Sequence, residues 1–119
     1  MRLLKQVSGQ LRRPLTTMGC DAAEVPLPDR SADTVTALHL IEHLPDDAAE
    51  AVLDEALRLA RRRVAIAVPF EDEPQECYGH LRCYDLPKLS RMADDLCARH
   101  PGVTASVYEL HGGWLVLDR

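Results

Sequence analysis

No apolar run in this 119-residue chain approaches the roughly 20 residues that span a bilayer. The opening Met-Arg-Leu-Leu-Lys also lacks the continuous apolar core of a secretory signal. Cys20, Cys77, Cys83 and Cys97 include no Cys-x-x-Cys pair, and nothing points to an oxidising compartment. Reduced thiols and a cytoplasmic location are therefore expected. An excess of basic residues is missing too. The formal charge of −5 argues against a nucleic-acid or anionic-membrane surface. Arg12-Arg13 flanks a predicted strand and Arg61-Arg62-Arg63 closes a predicted helix, where cations suit the dipole. Repeats and low-complexity tracts are absent. What is present, 46% apolar and 28% charged residues, is ordinary globular composition and excludes disorder. The length suits one domain, 1–119, burying about two thirds of its unfolded surface.

The organising stretch runs from Asp29 to Pro45. Its centre, Thr34–Leu40, is apolar or β-branched without polar alternation, which predicts a strand buried on both faces, as in parallel sheets. A helix over Asp46–Arg61 follows. Ala49, Val52, Leu53, Ala56, Leu57 and Ala60 trace its core face, and its acidic start and basic end suit the dipole. Arg63–Val68 is again an apolar strand, so a parallel βαβ unit is expected. Upstream, Met1–Gln10 is read as a short amphipathic helix, Leu15–Gly19 as a short strand and Val25–Arg30 as a loop. Downstream, Phe70–Tyr84 is a long acidic loop, and a loop of that length in a small domain usually carries function. Asp85 caps a helix running to about Arg99. Val103–Leu110 and Trp114–Leu117 flank His111-Gly112-Gly113 as an antiparallel hairpin. Four strands in a mixed sheet are therefore predicted. Ligands of open α/β sheets sit beyond the carboxyl ends of the strands, which places chemistry at His39, Glu42 and His43.

Three motifs in order, Asp21 to Asp29, Ser31 to Val35 and Leu38 to Leu44, resemble the class I S-adenosylmethionine-dependent methyltransferases, type-11-like. That family shows an Asp-Ala pair, a Leu-Pro-hydrophobic turn, a Phe-Asp-x-Val strand and a Leu-Glu-His-Leu loop. The resemblance implies a partial Rossmann-like methyltransferase fold, an α/β mixed sheet with helices on its faces and a C-terminal antiparallel hairpin. It implies S-adenosylmethionine as cofactor. Asp21 would accept from the adenine amino group, the Ala22 amide would meet a ring nitrogen, and Leu38 and His39 would flank the cofactor. Glu42, with His80 and Arg82 of the Gly79-His80-Leu81-Arg82 stretch, would shape the pocket of a small polar acceptor, a sugar or natural-product hydroxyl. The stretches Gly79–Asp85 and His111–Asp118 are also similar to actinobacterial methyltransferases that modify the glycan of mycofactocin. Beside this stands a second reading of Asp21, as the cap of a short turn through Ala22, Ala23 and Glu24.

Imidazole titrates near neutrality, so His43 is the candidate base that removes an acceptor proton during methyl transfer. The competing reading has Glu42 and His43 pin the loop to backbone. His39-x-x-Glu42-His43 also matches an inverted zinc-hydrolase motif, whose chemistry requires both histidines on one helix. Cys77-x-x-His80-x-x-Cys83, even with Cys97 and His100, fits no standard zinc spacing. No metal is expected.

The chain contains no Gly-x-Gly, the turn through which this family approaches the methionyl portion of the cofactor. The resemblance covers about the last two thirds of such a domain. Without the strands that normally flank it, Thr34–Leu40 becomes a bare apolar edge, a pairing hazard. The expectations are a homodimer or a complementing N-terminal half as partner, and weak or absent cofactor binding by the lone chain. A non-catalytic subunit or scaffold of the same fold is the alternative, and a metal-dependent hydrolase the third.

Overall fold

A computed structural model describes residues 15–71 and 83–119. The predicted helix at Met1–Gln10, most of the Phe70–Tyr84 loop, and with them Cys77, His80 and Arg82, lie outside the described residues. Four strands, β1 (Ala32–Leu38), β2 (Ala60–Val68), β3 (Thr104–Glu109) and β4 (Gly113–Asp118), form one sheet in the order β1-β2-β4-β3. β1 and β2 are parallel, and β4 is antiparallel to both β2 and β3. Helices α1 (Asp46–Leu59) and α2 (Leu86–Arg99) lie side by side on one face.

Each element follows from local chemistry. Asp46 and Asp47 sit in the first turn of α1 and Arg58 in its last, so charges oppose the helix dipole at both ends. The 3.6-residue period brings Val52, Leu53, Ala56 and Leu57 onto the sheet. In α2 the Asp85 side chain accepts from the Lys88 amide at 2.8 Å, and Pro87 occupies the first turn, where its missing N–H costs nothing. Val64, Ile66 and Val68 of β2, with Leu115 and Leu117 of β4, close the core against Leu53, Leu57, Leu89 and Leu96. Gly113 opens β4 where Phe70 and Leu89 crowd in: a Cβ there meets Phe70 Cε1 at 2.1 Å and Leu89 Cδ1 at 2.6 Å. Gly112 turns the hairpin at φ +121°.

Three expectations are corrected. α1 stops at Leu59, and residues 60–62 belong with Arg63 to β2 rather than to the helix end. Ala60 takes extended backbone because it pairs with Ala32, and Arg61 and Arg63 then meet Asp33 and Asp118 at 2.8 and 2.7 Å. β1 is not buried on both faces. It is the terminal strand among the described residues, only Ala37 is buried, and Leu38 is 54% exposed. Leu15–Gly19 forms no strand and is not part of the four-stranded sheet. No helix among the described residues is long and apolar enough to cross a membrane.

Candidate functional site

The predicted cluster forms at the carboxyl end of β1. His39 leaves the strand with φ 55°, the left-handed region, while its amide still donates to Ala67 O on β2 at 2.8 Å. A single 3-10 turn, Ile41–His43, follows, closed by the His43 amide on Leu40 O and the Leu44 amide on Ile41 O, both 3.1 Å. Ile41 is fully buried and anchors the turn in the core. Glu42 is 1% exposed, and its Oε2 lies 3.8 Å from His39 Nδ1 and 3.8 Å from His43 Nε2. One carboxylate out of water thus faces two imidazoles at electrostatic rather than hydrogen-bond range. Both rings are partly exposed, His39 more than His43.

This geometry does not provide the helix a zinc hydrolase needs, because Val35–Leu38 is strand and His39 sits outside the turn that holds His43. Among the described residues no group of three His, Cys, Asp or Glu side chains is placed to hold a metal. His100 instead bonds Asp54 Oδ1 through Nε2 at 2.8 Å, tying α2 to α1.

Asp21 and Ala22 are exposed in a tight turn. Asp21 Oδ1 accepts from the Ala23 amide at 2.8 Å, and the Glu24 amide donates to Asp21 O at 3.0 Å. The capping turn foreseen as one reading of Asp21 is formed, and it leaves the carboxylate facing solvent. The segment after it is held by Glu55 and Arg58, two charged residues off the apolar face of α1. Arg58 grips Glu55, Asp29 and the carbonyls of Val25 and Leu27, all within 2.9 Å, and the Val25 amide donates to Glu55 Oε2 at 2.6 Å. The Arg58 guanidinium holds the Glu55 carboxyl below the usual glutamate range against the opposing effect of burial. Glu55 and Asp29 in turn push Arg58 above its ordinary value. The available signal was the Glu-x-x-Arg spacing on one helix face. A groove of about 220 Å³ runs between α1 and α2 over Ala49, Leu53, Met92 and Leu96. Lys88 Nζ lies 4.5 Å over the Tyr84 ring at its edge.

A parallel strand pair, a carboxyl-edge His-Glu-His cluster, an exposed Asp-Ala turn and a terminal antiparallel hairpin define a class I methyltransferase-type fold. Residues 2–68, more than half of the chain, match the family described as a methyltransferase domain, and the chain belongs to that family. Among solved structures, magnesium protoporphyrin IX methyltransferase from Synechocystis PCC 6803 with bound SAH is similar at 16% identity and TM-score 0.65. That match covers 99% of this chain and 57% of that one. A SAM dependent methyltransferase from Aquifex aeolicus is similar at 16% identity and TM-score 0.64, over 95% of this chain and 58% of that one. At these identities the likeness is one of fold, and the chain spans little more than half the length of either structure. No curated protein matches.

Proposed function

We propose that this chain supplies the adenine edge and the general base of an S-adenosylmethionine-dependent methyl transfer to a small polar acceptor, a sugar or natural-product hydroxyl. The observation that carries the reading is the buried Glu42 carboxylate beside His43 at the carboxyl end of β1. His43 turns Nε2 toward Glu42, so that nitrogen is assigned the proton and Nδ1 the accepting role. Glu42 orients the ring and offsets the positive charge that forms as the acceptor hydroxyl gives up its proton. The residues present fit the adenine end of the cofactor: Asp21 is exposed, and only Oδ1 is used in its own turn. Bound there, the cofactor brings an electrophilic methyl group on a sulfonium. Ala22 offers its amide beside Asp21, and in this reading Leu38 and His39 meet the cofactor from the carboxyl end of β1. The chain has no Gly-x-Gly for the methionyl end. We accordingly infer that the lone chain binds weakly. A partner strand on the outer edge of β1, from a second copy or a complementing N-terminal half, completes the site. We infer a cytoplasmic location, which the net charge of −5 and the lack of a Cys-x-x-Cys pair support.

The test is a titration of the isotopically labelled full chain with S-adenosylhomocysteine to several times about 1 mM, followed by amide and imidazole shifts; a 1 mM Kd is roughly −4 kcal/mol. Shifts at Asp21–Val25 and His39 are expected. Unmoved signals overturn the reading and favour the non-catalytic subunit, which the missing glycine turn already supports. Sedimentation reads the partner separately: a dimer is expected, and a monomer at all concentrations removes the second copy.

A further inference from the structure

Residues 15–20, before the Asp21 turn, carry no regular structure, and on its other side the turn runs into a segment bonded to α1. That side begins at Val25, directly after the Asp21–Glu24 bridge, with no slack between. Both polar groups of Val25 go to one turn of α1: its amide to Glu55 Oε2 at 2.6 Å, its carbonyl to Arg58 Nη2 at 2.9 Å. Arg58 Nη1 reaches Leu27 O and Asp29 Oδ1, both at 2.8 Å, and the Arg58 carbonyl accepts from the Arg30 amide at 2.9 Å. Arg58 Nε and Nη2 close a two-point fork on Glu55 at 2.6 and 2.9 Å. Glu55 is 10% exposed, so this is not a solvated surface pair. A lysine cannot replace the fork, since one ammonium cannot serve acceptors spread along a six-residue loop.

We propose that Glu55 and Arg58 are positioning residues for cofactor recognition: they clamp the Val25–Arg30 segment onto α1 and thereby fix the Asp21 carboxylate for the adenine amino group. The inference rests on the adenine-edge reading above. Neither residue touches the cofactor. Their effect is to remove the freedom of a short loop before the ligand arrives, so that affinity is not spent on ordering it. Such a clamp acts on selectivity for the amino group as well as on binding strength, because a loose carboxylate accepts from solvent instead.

The experiment compares S-adenosylhomocysteine with its 6-deamino analogue, in which hydrogen replaces the 6-amino group, so that nothing donates to Asp21 while the ring nitrogen facing the Ala22 amide still accepts. Each ligand is titrated by NMR into the wild-type full chain, Arg58→Lys, Glu55→Gln and Asp21→Ala. The wild type should prefer the amino ligand by about tenfold, the worth of one hydrogen bond to a charged group. Arg58→Lys and Asp21→Ala should each bring that ratio near one, and the double variant should lower it no further. Amide exchange at Ala23–Val25 should quicken by at least about tenfold in Arg58→Lys, as in local opening. Glu55→Gln keeps the shape and weakens the fork, and should give an intermediate ratio even where Arg58→Lys folds poorly. Weaker binding by Arg58→Lys with the tenfold preference intact means a merely structural pair and overturns the clamp while leaving the adenine edge standing. Unchanged amide exchange overturns it as well. A wild type that binds neither ligand, or both equally, overturns the adenine-edge reading and the clamp with it.

Discussion

Replacing Gly113 by alanine adds one methyl group at the place where β4, the end of β2 and α2 converge. The new Cβ lies 2.1 and 2.5 Å from two ring carbons of Phe70 and 2.6 Å from Leu89 Cδ1. Comfortable carbon contacts need about 3.5–4.0 Å, so each neighbour has to retreat by an ångström or more. Phe70 is half-buried and can swing outward, whereas Leu89 is fully enclosed in the core and has nowhere to go. Overpacking of this kind costs about 1–3 kcal/mol. For a domain of this length that lowers Tm by about 4–12 °C. Urea unfolding followed by far-UV circular dichroism measures it directly, with the slope unchanged. On a Phe70→Leu background the penalty should shrink by at least about 0.5 kcal/mol, because one of the two collisions has gone. A Gly113→Ala protein with the wild-type midpoint would refute the packing argument.

Leu53→Asp sets a carboxylate on the core face of α1 at 2% exposure. Unpaired burial costs several kcal/mol against a total of about 5–15, so no cooperative thermal transition should remain. Because the folded Glu55 carboxyl titrates below its ordinary 4.5, first through the Arg58 hydrogen bond, its stabilisation is complete above that value. It is lost as pH falls through the lower folded value. Urea midpoints taken from about pH 6 to about pH 3 should therefore drop less in Glu55→Gln than in wild type, and parallel curves would contradict the sign. With the partner and an acceptor in hand, His43→Asn should cut turnover by about 10²–10⁴ while S-adenosylhomocysteine binds as before. Equal losses in binding and turnover would make His43 a structural residue.

Local chemistry made much of this fold readable. The core face of α1 repeats every third or fourth residue over a full helix, and the Asp85 cap and the glycines of the hairpin fix the later elements within a residue or two. The His-Glu-His cluster was visible because its members are near neighbours in sequence. What escaped depends on partners distant in the chain. Ala60 suits either a helix face or a strand, and only pairing with Ala32 decides. The burial of Thr34–Leu40 depends on what lies beside β1, which its own residues do not encode. Glu55 and Arg58 sit where a helix normally shows charge to solvent, and the Val25 amide and the Val25 and Leu27 carbonyls that engage them come from about 30 positions upstream.

The left-handed backbone at His39 has a consequence for any substitution scan of this site. A residue with a Cβ placed at φ 55° carries a conformational cost of roughly 1–2 kcal/mol, which asparagine and glycine largely escape. Changing His39 to alanine therefore mixes the loss of an imidazole with a different burden on the chain, and a valine there adds β-branching to the strain. Asparagine is the informative replacement, since it tolerates the turn and deletes only the ring. Turnover lost in the asparagine variant belongs to the imidazole. Turnover lost only in the valine variant belongs to the backbone that aims it.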